Sequence, residues 1–145
     1  MTEPMQAPYE MTQGLAALKA ILEAQPANSS EWSEASNRFH FVDRLLKECL
    51  GWQNTYLEVE FPDGDGGRAD YILGSNNKAV LEVKREAVNF GDLPTGKPTI
   101  VRKMPPLLRS SKNLKDAATQ VVGYCSLLGV PLAIVSNGPQ MMIFQ

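Results

Sequence analysis

The sequence predicts an α/β fold, with a mixed central sheet of about five strands flanked by helices on both faces. Three observations support this prediction. Apolar residues recur at helical spacing in the first third of the chain, two apolar runs flank a Gly/Ser/Asn cluster in the middle, and a further helical pattern precedes a short apolar run near the end. With 145 residues, of which 43% are hydrophobic and 21% charged, residues 1–145 have the size and composition of a single globular domain.

Two helices are predicted before the first strand. Residues 1–8 are polar and contain proline, and we expect them to form a loose lead-in. From about Tyr9 to Ala24 a methionine and three leucines recur at helical spacing, which predicts an amphipathic helix that Pro26 ends. A second apolar stripe predicts a helix from about Ser33 to Leu50.

Three strands are predicted next. Residues 54–61 alternate in hydropathy, and a turn rich in Gly and Asp follows at residues 62–67. Residues 68–73 and 79–84 are apolar-rich runs around the polar residues 74–78, which is the pattern of an antiparallel hairpin. The second of these runs is almost continuously apolar, as expected for a strand covered on both faces.

The predicted hairpin brings two carboxylates together. If it is centred on Asn76, Asp70 lies directly opposite Glu82 on the same face of the sheet. Their Cβ atoms are then roughly 4.5 to 5.5 Å apart, a pairing of like charges that destabilises a sheet unless another group offsets it. A bound divalent cation is the simplest offset. The alternative is that Glu82 and Lys84 form an ordinary ion pair on an exposed strand.

The C-terminal part predicts one more helix and two more strands. Asn113 and Asp116 suit the start of a helix that Gly129 closes. Residues 131–136 predict a short central strand that is parallel to its neighbour, and residues 140–144 predict a last strand. The chain stops without covering this last strand, so we expect it to be the N-terminal piece of a longer protein.

A basic segment lies between the hairpin and this helix. Residues 87–109 contain four prolines and are expected to form an irregular connection. Its charges suit either a loop that contacts phosphates beside an active site or a solvated basic loop, and its apolar residues also permit a partner interface. From Lys97 to Lys115 the chain has no acidic residue and six basic ones, namely Lys97, Arg102, Lys103, Arg109, Lys112 and Lys115.

The overall charge restricts how nucleic acid could bind. The formal net charge is -2, so the chain lacks the global basic signature of many DNA-binding domains, and any such binding must be local. We find no signal peptide and no apolar run long enough to span a membrane. We therefore expect a cytoplasmic protein in which Cys49 and Cys125 are buried free thiols, although their spacing also permits a disulfide.

Asp70, followed on the next strand by Glu82-x-Lys84, resembles the PD-(D/E)XK nuclease core, most closely the N-terminal nuclease domain of type I restriction enzyme motor subunits. Ala69 stands where the family name has proline, a position that varies in the family. The resemblance implies a restriction-endonuclease-like core that binds Mg²⁺, or Mn²⁺ as a substitute. The implied metal ligands are Asp70, Glu82 and the carbonyl of Val83. The resemblance also implies that Lys84 acts on the attacking water. Carboxylate oxygens suit a hard cation of this kind.

Two further residue pairs resemble motifs of the same family. Glu34 lies four residues before Arg38, and Gln120 lies four residues before Tyr124, so each pair is one helical turn apart. The resemblance implies that Glu34 is an accessory metal ligand, that Gln120 positions the site and that Tyr124 supports DNA contacts. Considered alone, Glu34 also suits a helix N-terminus, where the helix dipole favours a carboxylate. Glu31 is the rival ligand if the helix begins earlier.

The function that the resemblance implies is a Mg²⁺-dependent endonuclease domain that hydrolyses DNA phosphodiester bonds in a restriction or phage-defence system. The expected partners are DNA, a fused or associated ATPase or translocase, and other subunits of the restriction system. No membrane is expected as a partner. A non-catalytic nucleic-acid-binding or docking module of the same fold is the alternative, and a metal-dependent RNase is a third possibility. The expected DNA-binding residues are Tyr124, Arg102, Lys103, Arg109 and Lys112.

Overall fold

The computed structural model describes residues 10–91 and 103–145, so the predicted lead-in at residues 1–8 lies outside the described part. Short 3₁₀ turns occur at Ser29–Glu31 and Asn54–Tyr56. The helices are α1 (Met11–Ala24), α2 (residues 34–49), α3 (Met104–Ser110) and α4 (Lys112–Leu128), and the strands are β1 (Leu57–Pro62), β2 (Arg68–Leu73), β3 (Ala79–Val83), β4 (Leu132–Ser136) and β5 (Met141–Phe144).

The strands form one sheet in the order β1-β2-β3-β4-β5. β3 and β4 are parallel, and the other neighbouring strands are antiparallel. The parallel pair requires a crossover connection, which the segment containing α3 and α4 provides. The prediction of an α/β fold with a mixed sheet of about five strands is therefore confirmed.

The hairpin of β2 and β3 has the predicted register. Tyr71 pairs with Leu81, which centres the turn on Asn76. Continuing this register by one residue on each strand places Asp70 opposite Glu82, at the end of the hairpin that is away from the turn.

Both faces of the sheet are covered by helices. One face packs against α1 and α2, and the other packs against α4. All residues of β3 are buried, in agreement with its almost continuous apolar sequence. The residues of β2 and β3 in the first core are Tyr71, Leu73, Ala79, Leu81 and Val83, and those in the second core are Ala69, Ile72 and Val80.

α2 is not the uniform α-helix that its periodicity predicts. It is α-helical over Glu34–Asn37 and π-helical over Arg38–Val42 and Leu45–Cys49. In π-helical turns each hydrogen bond spans one more residue, as between the N–H of Leu50 and the carbonyl of Leu45. The spacing of apolar residues over a few turns does not distinguish the two helix types. The prediction therefore has nearly correct bounds but the wrong hydrogen-bond pattern.

The segment before α4 is more regular than the sequence predicts. Within the predicted irregular connection, α3 spans Met104–Ser110 and has Pro105 and Pro106 in its first turn. Proline is tolerated there because the first N–H groups of a helix have no partner within the helix. Phe90, in the same predicted connection, is fully buried in the core beneath α4.

α4 begins with a different cap from the predicted one. Ser111 is the N-cap, and its Oγ accepts a hydrogen bond from the N–H of Leu114 at 3.2 Å. The Nδ2 of Asn113 instead donates to the carbonyl of Asn89 at 3.0 Å, so the prediction of Asn113 as the cap is wrong. Gly129 ends the helix with φ of 67°, as predicted.

Both cysteines are free thiols, Cys49 buried and Cys125 half-buried, which excludes the disulfide that their spacing permits. In the two described ranges, no helix has both the length and the apolar character needed to cross a membrane.

Candidate metal centre

Three carboxylates from separate segments converge at the open end of the β2–β3 hairpin. Glu34 comes from the first turn of α2, Asp70 from β2 and Glu82 from β3. One oxygen of each side chain lies within 4.8 Å of the corresponding oxygens of the other two. Of the two candidates at the start of α2, the structure places Glu34 in this cluster, whereas Glu31 lies in the preceding turn and is exposed.

Asn37 fixes the first turn of α2 against the sheet. Its Nδ2 donates at 2.9 Å to the carbonyl of Lys84, just after β3, and at 2.9 Å to the carbonyl of Asn137, just after β4. These carbonyls lie at the same edge of the sheet because β3 and β4 are parallel. Glu34 is one turn before Asn37, so this anchor determines where its carboxylate lies.

Asn37 is not among the site residues predicted from the sequence. A signal was present, because Asn37 lies one turn before Phe41 on the apolar stripe of α2 and is only 3% exposed. A buried polar side chain on such a stripe needs hydrogen-bond partners.

Asp70 is held by hydrogen bonds to both of its oxygens. Its Oδ2 accepts from the N–H of Val83 at 2.8 Å, and its Oδ1 accepts from Nη1 of Arg38 at 3.1 Å. Burial raises the pKa of Asp70, and the Val83 and Arg38 contacts reduce but do not cancel this effect. Val83 therefore contacts the cluster through its N–H group, and the metal-binding role of its carbonyl stays a prediction.

Glu82 is buried with an incomplete set of partners. It is 3% exposed, its Oε1 lies 3.4 Å from Nζ of Lys84, and its Oε2 is buried without a hydrogen-bond partner among the described residues. Burial, followed by the negative charge of Asp70, raises the pKa of Glu82 to about 7. An unpaired buried carboxylate oxygen costs about 2 kcal/mol. A divalent cation would supply the missing partner, so these residues fit a metal.

The pKa of Glu34 is raised as well. Glu34 is half-buried, and burial raises its pKa, while the positive charge of Lys84 opposes the rise. All three carboxylates thus have a raised pKa, which means that the fold holds them in a place where a negative charge is unfavourable. The neighbouring carboxylates add to this effect by repelling one another, and a cation bound between them would relieve that repulsion. Oxygen-only ligands favour Mg²⁺ or Mn²⁺ over softer metals.

Lys84 connects the carboxylates to α4. Its Nζ lies 2.6 Å from Oε1 of Gln120, and Nε2 of Gln120 donates to the hydroxyl of Tyr124 at 3.3 Å. The structure therefore brings Gln120 into contact with Lys84, and Tyr124, one turn later, into contact with Gln120. The contact between Lys84 and Glu82 joins these residues to the carboxylate cluster.

Arg38 and Glu60 complete the surroundings of Asp70. Nη1 of Arg38 donates both to Asp70 and to a carboxylate oxygen of Glu60, and the guanidinium carbon lies 5.2 Å from the centroid of the Tyr71 ring. Burial lowers the pKa of Arg38, but its contacts with Glu60, Tyr71 and Asp70 together raise the pKa above its usual value, so Arg38 is positively charged at any ordinary pH. Arg38 was predicted from the sequence only as part of a motif, without a contact, and Glu60 was not predicted.

The predicted DNA-binding residues lie on α3 and α4 or outside the described part. Arg102 is not among the described residues, and Lys103 and Arg109 are exposed at α3. Lys112 begins α4, and its Nζ lies 2.6 Å from Oδ2 of Asp116. No ion pair within residues 10–91 and 103–145 joins these three lysine and arginine side chains to the carboxylate cluster.

None of the family models, curated proteins or solved structures compared with this chain matches it. The function of the cluster must therefore be argued from its geometry and chemistry and from the resemblance of its motifs.

Proposed function

We propose that this chain is a divalent-metal-dependent endonuclease domain with a restriction-endonuclease-like core, acting on DNA. The observation that carries the proposal is the convergence of three carboxylates from separate segments with a lysine beside them. The unpaired Oε2 of Glu82 supports it, because an oxygen that is buried without a partner is expected where a ligand is bound in the working state.

In this proposal Asp70 and Glu82 hold the metal with the carbonyl of Val83, and Glu34 assists. When bound, the cation neutralises charge that develops on a phosphate and lowers the pKa of a coordinated water. Lys84 contributes a positive charge at the same place, held by its contacts with Gln120 and Glu82. Because Glu82 is buried in β3, its contact holds the ammonium group of Lys84 beside the carboxylates before any substrate arrives.

The DNA contacts belong to the proposal as well. Tyr124 adjoins Gln120 and is half-buried, so its ring is available at the edge of the site. We infer that Arg102, Lys103, Arg109 and Lys112 contact phosphates, since a basic segment lies just before α4. The resemblance further suggests a cytoplasmic restriction or phage-defence system in which a fused or associated ATPase or translocase delivers the DNA.

The test is incubation of supercoiled plasmid with the chain in Mg²⁺ or Mn²⁺. We expect nicked plasmid, with cleavage abolished by EDTA and reduced at least about a hundredfold by Lys84→Ala, since a positioned group at the reacting water contributes on this scale. Lys19→Ala is the matched control, because Lys19 is an exposed lysine on α1 that pairs with Glu23. It should leave cleavage unchanged.

Different failures have different meanings. An intact plasmid together with Mn²⁺ binding that Asp70→Ala abolishes would mean that the metal centre is real and that cleavage needs the partner subunits. An intact plasmid without Mn²⁺ binding would overturn the proposal in favour of a non-catalytic binding module. Cleavage of RNA but not of DNA would retain the site and replace the substrate.

A further inference from the structure

A guanidinium already occupies one carboxylate of the metal centre. Nη1 of Arg38 donates to Oδ1 of Asp70 at 3.1 Å, and the Arg38 side chain is only 16% exposed. The other oxygen, Oδ2, accepts from the backbone N–H of Val83. Asp70 is the carboxylate whose two oxygens both have donors, so a cation that approaches it meets a positive charge in direct contact.

Glu60 gives the same nitrogen of Arg38 a second acceptor. It also accepts from Nη1, and its side chain is half exposed, so it lies on the solvent side of the pair. The pairing of Val59 with Tyr71 on β1 and β2 places Glu60 opposite Asp70. Arg38 therefore has one partner inside the centre and one at its edge.

The backbone of Glu60 is unusual in a way that draws attention to this contact. Its φ is 52°, the left-handed region that a residue with a side chain rarely adopts, and it occurs in the middle of β1. Backbone conformations of this kind persist where the surrounding structure requires them, which is common near functional sites. The residue with this conformation is also the one that contacts Arg38.

We propose that Arg38 and the divalent cation compete for Asp70, and that Glu60 is the partner that Arg38 keeps when the cation binds. This inference rests on the metal centre proposed above. A guanidinium and a doubly charged cation on one carboxylate repel each other at close range. Glu60 lets Arg38 withdraw to the edge without losing all of its hydrogen bonds. Arg38 is then a positioning residue that orients Asp70 until the metal arrives.

The test is a double-mutant cycle on Mn²⁺ affinity at one fixed pH, measured from the electron paramagnetic resonance signal of free Mn²⁺. Competition predicts that Arg38→Gln binds Mn²⁺ about tenfold more tightly, because Asp70 loses its resident cation. Glu60→Gln should bind several-fold more weakly, because Arg38 then has Asp70 as its main partner. In the Arg38→Gln background, Glu60→Gln should have little effect.

The cycle separates competition from a simple effect of charge. If Glu60 acts only through its own negative charge, Glu60→Gln weakens Mn²⁺ binding equally in both backgrounds, and the proposal is overturned. Unchanged affinity in Arg38→Gln also overturns it. Arg44→Gln is the matched control, because it removes an arginine of the same helical segment that pairs with Glu48, away from the centre. It should leave the affinity unchanged.

A second measurement applies if Arg38→Gln does not fold. Nε of Arg38 is buried without a hydrogen-bond partner among the described residues, so its N–H proton should exchange slowly with water. In the unaltered chain, titration with diamagnetic Mg²⁺ should shift this resonance and speed its exchange, while that of Arg44 stays in place. An unmoved Arg38 resonance at saturating Mg²⁺ contradicts the proposal.

The two proposals fail in distinguishable ways. Normal Mn²⁺ binding with additive effects of the two variants removes only the competition. Absence of Mn²⁺ binding in the unaltered chain and in Arg38→Gln alike removes the metal centre and the competition together.

Discussion

The two ends of the β2–β3 hairpin bury residues of opposite character on the same face of the sheet. Near the turn, Ile72 pairs with Val80, and both are buried against α4. Two residues further along each strand, Asp70 and Glu82 take the equivalent positions and are also buried. Burial stabilises the first pair through the hydrophobic effect and destabilises the second pair through the proximity of like charges.

Burial alone therefore does not reveal whether a residue stabilises the fold. The apolar pair adds to the stability of the fold, whereas the acidic pair reduces it and is retained beside a lysine and an arginine. The comparison can be tested by changing one end at a time and measuring the free energy of unfolding.

A substitution at the apolar end of the hairpin should destabilise the fold most. Ile72→Ala should lower the free energy of unfolding by about 3 kcal/mol, because it removes buried methyl and methylene groups and leaves a cavity. Urea titration followed by circular dichroism measures it. Ile143→Ala is the matched control, since Ile143 on β5 is 61% exposed, and it should cost less than about 1 kcal/mol. Equal losses in the two variants would contradict the assigned core.

The acidic end should show the opposite sign and a dependence on pH. The pKa of Glu82 is raised to about 7 in the folded state, so the folded chain holds its proton more tightly than the unfolded chain does. Stability is therefore lost as pH rises from about 4.5 through 7 and stays low above it. In EDTA, Glu82→Gln should be more stable than the unaltered chain by up to about 3 kcal/mol at pH 8 and nearly equal to it at pH 4.5.

A control is available for this pH dependence. Glu58 is an exposed glutamate on β1, and Glu58→Gln should follow the stability profile of the unaltered chain. In Glu82→Gln a smaller slope should remain, because burial also raises the pKa of Asp70 and of Glu34. Parallel profiles for Glu82→Gln and Glu58→Gln would refute the assigned raised pKa of Glu82.

The smallest effect is expected at the turn itself. Asn77 has φ of 53°, a left-handed conformation in which a Cβ atom is unfavourable but which asparagine tolerates. Asn77→Ala should cost about 1 kcal/mol in thermal or urea unfolding. Asn77→Gly should restore or slightly exceed the original stability, because glycine adopts this conformation freely. A loss with glycine as large as that with alanine would mean that the side chain, not the backbone, matters there.

Most of the fold could be predicted from the sequence because its signals are local. The turn residues between β2 and β3 and the apolar runs beside them specify the hairpin register over a short stretch. The π-helical turns of α2 could not be predicted, because they depend on hydrogen bonds that apolar spacing does not report. α3 escaped prediction because its two prolines end most helices but are tolerated in a first turn.

Some residues of the candidate site could likewise be predicted from local signals, and others could not. The opposition of Asp70 and Glu82 follows from the local hairpin register, and the resemblance of motifs added Glu34, Gln120 and Tyr124 to it. The position of Asn37 on an apolar stripe was a signal in the sequence, but its distant partners were not, and the role of Glu60 depends in addition on a left-handed backbone that glutamate does not favour. Contacts between residues far apart in the chain can be identified only from the structure.

The hydrogen bond from Asn37 to Asn137 has a consequence for the order of folding. It joins positions 100 residues apart, and contacts at such separations form late because a long loop must close first. During synthesis the hairpin with Asp70 and Glu82 emerges well before β4 does, so the nascent chain holds two of the three carboxylates without the third in place. Both hydrogen bonds that hold the first turn of α2, and with it Glu34, are therefore in place only after β4, the strand that precedes Asn137, has joined the sheet.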